Sequence, residues 1–268
     1  MMRTSKEDKP LGIQLFGSDP KILAQAAKIA AQEGAQIIDL NCGCPVKKVT
    51  KQEAGSALMK NPDKLAKIVS AMSDAVDIPV TVKLRAGQDE GQINVLEVIE
   101  KLKNAGLSAV TVHPRTVADP FKSKPKWELL KQIKEELGLT VIGSGGLEDA
   151  DKVKEMLDKT GIDAAMIARG ALGHPWIFDC ANRKLNGESD VQEPAIEERK
   201  EIMKQHLAAM IEHYGENHAC RLFRSHAHYY VDGWPNAARL RNQLNHLTSY
   251  QGLVEIFDSP VEKSSLLT

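Results

Sequence analysis

Six short β-rich runs recur between residues 11 and 168, and every gap between them carries a helical pattern. The runs are LGIQLF (11–16), AQIIDLN (35–41), IPVTVKLR (78–85), SAVTVH (108–113), LTVIGS (139–144) and DAAMIA (163–168). Helical periodicity fills Pro20–Glu33, Pro62–Ala75, Ile93–Asn104, Trp127–Leu137 and Asp149–Lys159. Ser18-Asp19-Pro20 and Asn61-Pro62 supply capping residues and a first-turn proline, and Gly34, Gly106, Gly138 and Gly161 stand where helices end. Strand, helix and strand in steps of roughly 24 to 44 residues mean βαβ units and a parallel sheet. Such crossovers build a doubly wound sheet or a (β/α)8 barrel. Gln14, Asn41, Lys83, Arg85, His113 and Ser144 all fall near strand C-termini, which gathers polar groups on one rim and favours the barrel. Only six of eight strands are visible. The fold expected is therefore an α/β TIM barrel incomplete at its N-terminus, short by about 60 residues. It spans residues 1–177 and is followed by an all-helical domain over 178–268.

In that second region the pattern turns helical, over 194–213, Arg221–Val231 and Ala237–Leu247. Residues 219–246 hold Arg221, Arg224, Arg239, Arg241, His226, His228 and His246 against one acid, Asp232. A nucleic-acid face explains this local basicity, and on composition a solvated helix face explains it as well. The whole chain, with 35 basic and 36 acidic residues and a net charge of −1, excludes a uniformly basic binder. Aromatics at 4% limit any long base-stacking surface. No run approaches a spanning helix, the opening MMRTSKEDKP lacks a secretory apolar stretch, and four cysteines make no disulfide scaffold. A cytoplasmic protein with no membrane partner is the expectation.

The candidate chemistry sits on the rim. Asn41-Cys42-Gly43-Cys44-Pro45-Val46-Lys47-Lys48 follows the second run, and a thiol beside cations there is a usable acid or nucleophile. Cys-x-Cys could also be half a metal site, but Cys180 and Cys220 lack the paired spacing, so no metal is expected; an inert loop cysteine is the plainer alternative. Lys83 and Arg85 alternate, so they share one side of their strand and suit an anionic or carbonyl-rich ligand; solvated strand-end charges are the alternative. His113 closes the next strand, where it either joins the site or bonds the backbone. Ser144-Gly145-Gly146 and Ala168-Arg169-Gly170 are loops whose main-chain N–H groups suit a phosphate, at the places where barrels commonly bind one.

Together these pieces resemble the tRNA-dihydrouridine synthases, most closely the bacterial B-type subfamily. The match lies in IQLFGSDP (13–20), GAQIIDLNCGCPVKKV (34–49), AGSALM (54–59), PVTVKLRAG (79–87), TVHPRT (111–116), GIDAAMIARGALGHPWIF (161–178) and GENHACRLFRSHAHYY (215–230). The Asn-x-Gly-Cys-Pro loop is the specific element. The resemblance implies an FMN-binding barrel, a helical tRNA-binding domain, and NADPH-driven reduction of uridine to 5,6-dihydrouridine in tRNA. It implies Cys44 as the acid that protonates C5, with Asn41 holding the uracil. It further implies Gln14, Lys83, His113, Ser144, Gly145, Gly146, Ala168 and Arg169 at FMN, Arg85 at substrate, and Arg221, Arg224 and His226 at tRNA. The partners are then tRNA and NADPH, and the full-length parent a monomer.

Ser144-Gly145-Gly146 stands where the family commonly has Asn-Gly-Asp, Ala168-Arg169 where it has Gly-Arg, and Arg224-Ser225-His226 where Arg-Lys-His is usual. Side-chain contacts to phosphate, and one RNA-facing cation, are thereby altered. The missing strands lead to the expectation of a chain that binds FMN poorly by itself and exposes sheet edges. Two alternatives remain: another FMN barrel acting on a small pyrimidine-like substrate, and a non-catalytic tRNA-binding remnant.

Overall fold

The computed structural model describes residues 9–119 and 123–259. Among them six parallel strands form one sheet in strict chain order: β1 (Gly12–Leu15), β2 (Ile37–Asn41), β3 (Val80–Arg85), β4 (Ala109–His113), β5 (Thr140–Ser144) and β6 (Ala164–Met166). A doubly wound sheet reverses strand order at a switch point. This one never does, so each crossover carries the chain one strand further in the same sense. The result is the winding of a TIM barrel, present as a six-stranded partial barrel.

Helices α1 (Pro20–Gln32), α2 (Lys47–Thr50), α3 (Pro62–Ser73), α4 (Val95–Lys103), α5 (Trp127–Leu137) and α6 (Ala150–Thr160) fill the crossovers. Their entries are capped as the sequence suggests. Asp19 accepts from the N–H groups of Lys21 and Ile22, and Asn61 accepts from that of Lys64. α1 packs on α3, α3 on α4 and α4 on α5. Each turns an apolar stripe inward, such as Leu65, Ile68, Val69 and Met72 on α3.

Side-chain alternation along the strands sorts two faces. Ile38, Leu40, Val82, Leu84, Val110 and Val112 have no exposed surface and form the core against the helices. Each such side chain contributes about 1.5–3 kcal/mol by burial. The alternate positions carry Asp39, Asn41, Thr81, Lys83, Arg85, Thr111 and His113 on the opposite, lumenal face. The register aligns them in rows: Gln14 with Asp39 and Thr81, Asn41 with Lys83 and Thr111, Arg85 with His113.

The chain divides into two compact units. The strand unit holds the residues up to Leu147 and Asp151–Ala168; the helical unit holds Glu148–Ala150 and everything from Arg169 onward. In the helical unit, α7 (Ile177–Leu185), α8 (Ile196–Tyr214), α9 (Glu216–Tyr230), α10 (Ala237–Asn245) and α11 (Tyr250–Asp258) enclose Met203, Leu207, Phe223, Ala227, Leu244 and Leu253. Residues 169–177 pack here because Gly173, at φ +65°, lies flat against the Tyr229–Tyr230 peptide. A Cβ at Gly173 would stand 2.3 Å from the Tyr229 carbonyl carbon. Three differences from the sequence pattern stand out. α7 and α11 are additional helices, and α9 begins at Glu216 rather than Arg221.

Candidate active site

The loop after β2 is organised by one side chain. Asn41 Oδ1 accepts from the N–H of Gly43 at 3.2 Å and of Cys44 at 3.0 Å, and its Nδ2 donates to Gln14 Oε1 at 2.8 Å. The Cys44 carbonyl accepts from the N–H of Ser56, which ties the loop's far side to the turn before α3. The two cysteines end in different surroundings. Cys42 is fully buried, and burial together with the nearby Asp39 charge pushes its thiol well above the usual range. Cys44 is only half buried. The cation in electrostatic reach of Cys44 is Arg85, whose Nε donates to the Gly43 carbonyl at 2.8 Å and whose Nη1 donates to that of Thr116 at 2.9 Å. Lys47 and Lys48, which the sequence places beside the thiol, are exposed on α2.

Lys83 is the register partner of Asn41 and stands beside it on the lumenal face. Burial, followed by the Arg85 charge, lowers its pKa from the ordinary lysine value, and Asp39 partly offsets this. Asp39 itself is pushed up by burial against the hydrogen bonds it accepts from Thr81 and Gln14. His113 Nε2 is 2.9 Å from Arg115 Nη1, and Arg115 Nε donates to the Ser123 carbonyl. The imidazole packs on the next loop: a Cβ at Gly145, whose φ is +104°, would lie 2.6 Å from His113 Cδ2 and Nε2. Trp127 Nε1 donates to the Gly145 carbonyl, and Pro125 closes over Gly146 at φ +77°. Backbone alone fits in that cradle, so neither glycine can carry a side chain to a phosphate, and Ser144 beside them is buried.

This arrangement can be set beside known proteins. The family model described as "Dihydrouridine synthase (Dus)" matches residues 1–265. The chain belongs to the dihydrouridine synthase family. The tRNA-dihydrouridine synthase B of Vibrio vulnificus is 40% identical over 233 residues, covering 87% of this chain and 72% of its own length. That of Pasteurella multocida is 37% identical over 236 residues, covering 88% and 71%. A probable tRNA-dihydrouridine synthase of Rickettsia conorii is 36% identical over 258 residues, covering 95% and 78%.

In this dihydrouridine synthase family member the remaining expected residues lie elsewhere. Ala168 follows β6, and Arg169 is exposed on a short turn that opens the helical unit. In the helical unit Arg221 is exposed, with Nε on the Asn217 carbonyl. Arg224 is half buried and spends Nε and Nη2 on the Leu247 carbonyl, at 3.0 and 2.7 Å. The His226 ring centroid lies 5.3 Å from that of His206, whose Nδ1 is 3.2 Å from the Tyr230 hydroxyl. Among the described residues no metal-binding cluster occurs, and no helix is long and apolar enough to cross a membrane. Sequence reasoning passed over Asp39, Thr81 and Arg115. For Asp39 the signal was available: a charge in mid-strand, between Ile38 and Leu40 of IIDLN.

Proposed function

We propose that the chain reduces uridine to 5,6-dihydrouridine in tRNA, with FMN in the strand unit, NADPH as reductant and Cys44 as proton donor. The observation that carries this reading is the Cys44 loop. A half-exposed thiol is held by two main-chain hydrogen bonds at the end of a barrel strand, while its neighbour Cys42 is shut away. The lumenal face fits a flavin phosphate ester. Gln14 and Lys83 offer a donor and a cation for the ring's carbonyl edge. The Gly145–Gly146 cradle, which a Cβ would fill, leaves main-chain groups for the phosphate beside Ser144. His113 buttresses the cradle, and Ala168 and Arg169 stay FMN residues on the family resemblance alone. FMN bound there would supply the hydride that reaches C6, restored by NADPH.

The protein's own part is acid catalysis and placement. Cys44 Sγ–H gives its proton to C5 of the base, and the thiolate left behind regains a proton from solvent. Arg85, held by the Gly43 and Thr116 carbonyls, keeps a positive charge beside that thiolate. Asn41 sets the loop and retains one amide N–H for the uracil. The uridine must leave its stack to reach a thiol at the rim. The helical unit, with Arg221, Arg224 and His226, would hold the tRNA chiefly through phosphates. The test is FMN uptake, read as flavin absorbance per chain, and dihydrouridine formed on unmodified tRNA with NADPH. Both are expected, against the poor FMN binding that the six-strand count alone suggests, because the Gln14, Lys83 and Gly145–Gly146 groups of the lumenal face are all in place; Cys44→Ala should keep FMN and lose product. A chain that takes up no FMN, or a Cys44→Ala variant with unchanged turnover, overturns the assignment.

A further inference from the structure

Asp39 has no place in that chemistry, yet a carboxylate in a strand lumen needs a reason. One row of the sheet gives it. Gln14, Asp39 and Thr81 are register partners across β1, β2 and β3, and Asn41 is the next lumenal residue of β2. Thr81 Oγ1 donates to Asp39 Oδ1 at 2.6 Å, and Gln14 Nε2 donates to Asp39 Oδ2 at 2.7 Å. Gln14 Oε1 then accepts from Asn41 Nδ2, whose Oδ1 receives the N–H groups of Gly43 and Cys44.

We propose that Asp39 is a positioning residue for Cys44, acting through the two carboxamides of Gln14 and Asn41. The inference rests on the reading of Cys44 given above. Its force lies in polarity. A carboxylate can only accept, so Gln14 must turn its NH2 toward Asp39 and its oxygen toward Asn41. Main-chain N–H groups can only donate, so Asn41 must face them with its oxygen. Both ends of the chain have one role, and the two amides between them are locked in one sense. Without Asp39 the Gln14 amide is free to turn its NH2 toward Asn41. Asn41 then meets donors on both sides, and the loop that carries Cys44 loses its anchor.

The test reads thiol exposure as well as turnover. Cys44 alkylation by iodoacetamide is followed by peptide mass spectrometry on the folded chain, with Cys42 as the buried internal control. Asp39→Ala is expected to raise the Cys44 rate at least about fivefold, as is Asn41→Ala, and the double variant no further, because both act along one path. Thr81→Val, which leaves Gln14 seated, is expected to stay within about twofold. Gln14→Glu combined with Asp39→Asn puts an acceptor back between the two asparagines, and restores the native rate where Asp39→Asn alone raises it. That pair decides the matter if Asp39→Ala does not fold. A native Cys44 rate in folded Asp39→Ala, multiplying effects in the double variant, or failure of the exchanged pair to restore the rate overturns the proposal. Absent FMN uptake and absent dihydrouridine in the unaltered chain overturn the functional reading instead, and leave the alkylation rates readable.

Discussion

Gly145→Ala tests the cradle through two separable costs. The first is conformational. At φ +104° an L side chain is strained, and such a residue costs about 1–3 kcal/mol. The second is steric. The added methyl would lie 2.6 Å from two atoms of the His113 ring. That ring cannot swing aside freely, because Arg115 holds Nε2 and is itself anchored on the Ser123 carbonyl. Overpacking against a fixed group costs about 1–3 kcal/mol more, for a total of about 2–6 kcal/mol. Denaturant unfolding of the native chain, Gly145→Ala, His113→Ala and the double variant would measure both. Removing the ring should recover the steric part, so the double variant should be more stable than the sum of single losses by at least about 1 kcal/mol. The strain part should persist. A Gly145→Ala loss under about 0.5 kcal/mol, or strict additivity in the cycle, would refute the close packing of this loop on the imidazole.

In the native chain at mildly alkaline pH, iodoacetamide should label Cys44 and spare Cys42 until the protein is unfolded; equal labelling would contradict the burial of Cys42. His206 has a depressed pKa from burial and from the neighbouring His226. The folded helical unit therefore favours its neutral form: the stability this contributes is full above the ordinary value of 6.5 and falls as pH drops through the lower folded value. His206→Gln should flatten the acid side of a stability-versus-pH profile, and an unchanged slope would refute this. Arg224→Lys should cost about 1–2 kcal/mol in unfolding free energy, since a lysine cannot reproduce the paired bonds to the Leu247 carbonyl. Arg221→Ala should leave stability within about 0.5 kcal/mol and lower the salt slope of tRNA binding by about one unit.

The strands were readable because parity and burial agree. Val82 and Leu84 point to helices and Lys83 and Arg85 to the lumen, a period of two that any register preserves. The end of Trp127–Leu137 was readable because Gly138 stops it at φ +59°. α7 starts without a side-chain cap, so no entry signal marks it, and α11 carries Gly252, which weakens its helical pattern. α9 starts early because Glu216 and Asn217 extend the helix past the apolar pattern. Within the site, Asn41 and Cys44 were legible as a motif, but nothing in a Cys-Gly-Cys string says which thiol is buried. That follows from the buried parity of Ile38 and Leu40 continuing to Cys42, the residue just past the strand. Arg115 was missed although its partners His113 and Ser123 lie close in sequence, because the conformation of the loop after β4, not its residue types, turns the guanidinium onto them.

An arginine tied to its own fold still carries its charge. Arg224 has committed two N–H groups to a carbonyl inside its own unit, so its geometry is no longer adjustable to a ligand. Its field, however, extends about 8–10 Å into physiological saline whatever its donors touch. Such a residue contributes to how fast a polyanion arrives, and little to the register in which it settles. On the proposed reading, capture and alignment divide between neighbouring positions on α9: Arg224 would draw the polyanion, and exposed Arg221 would grip it.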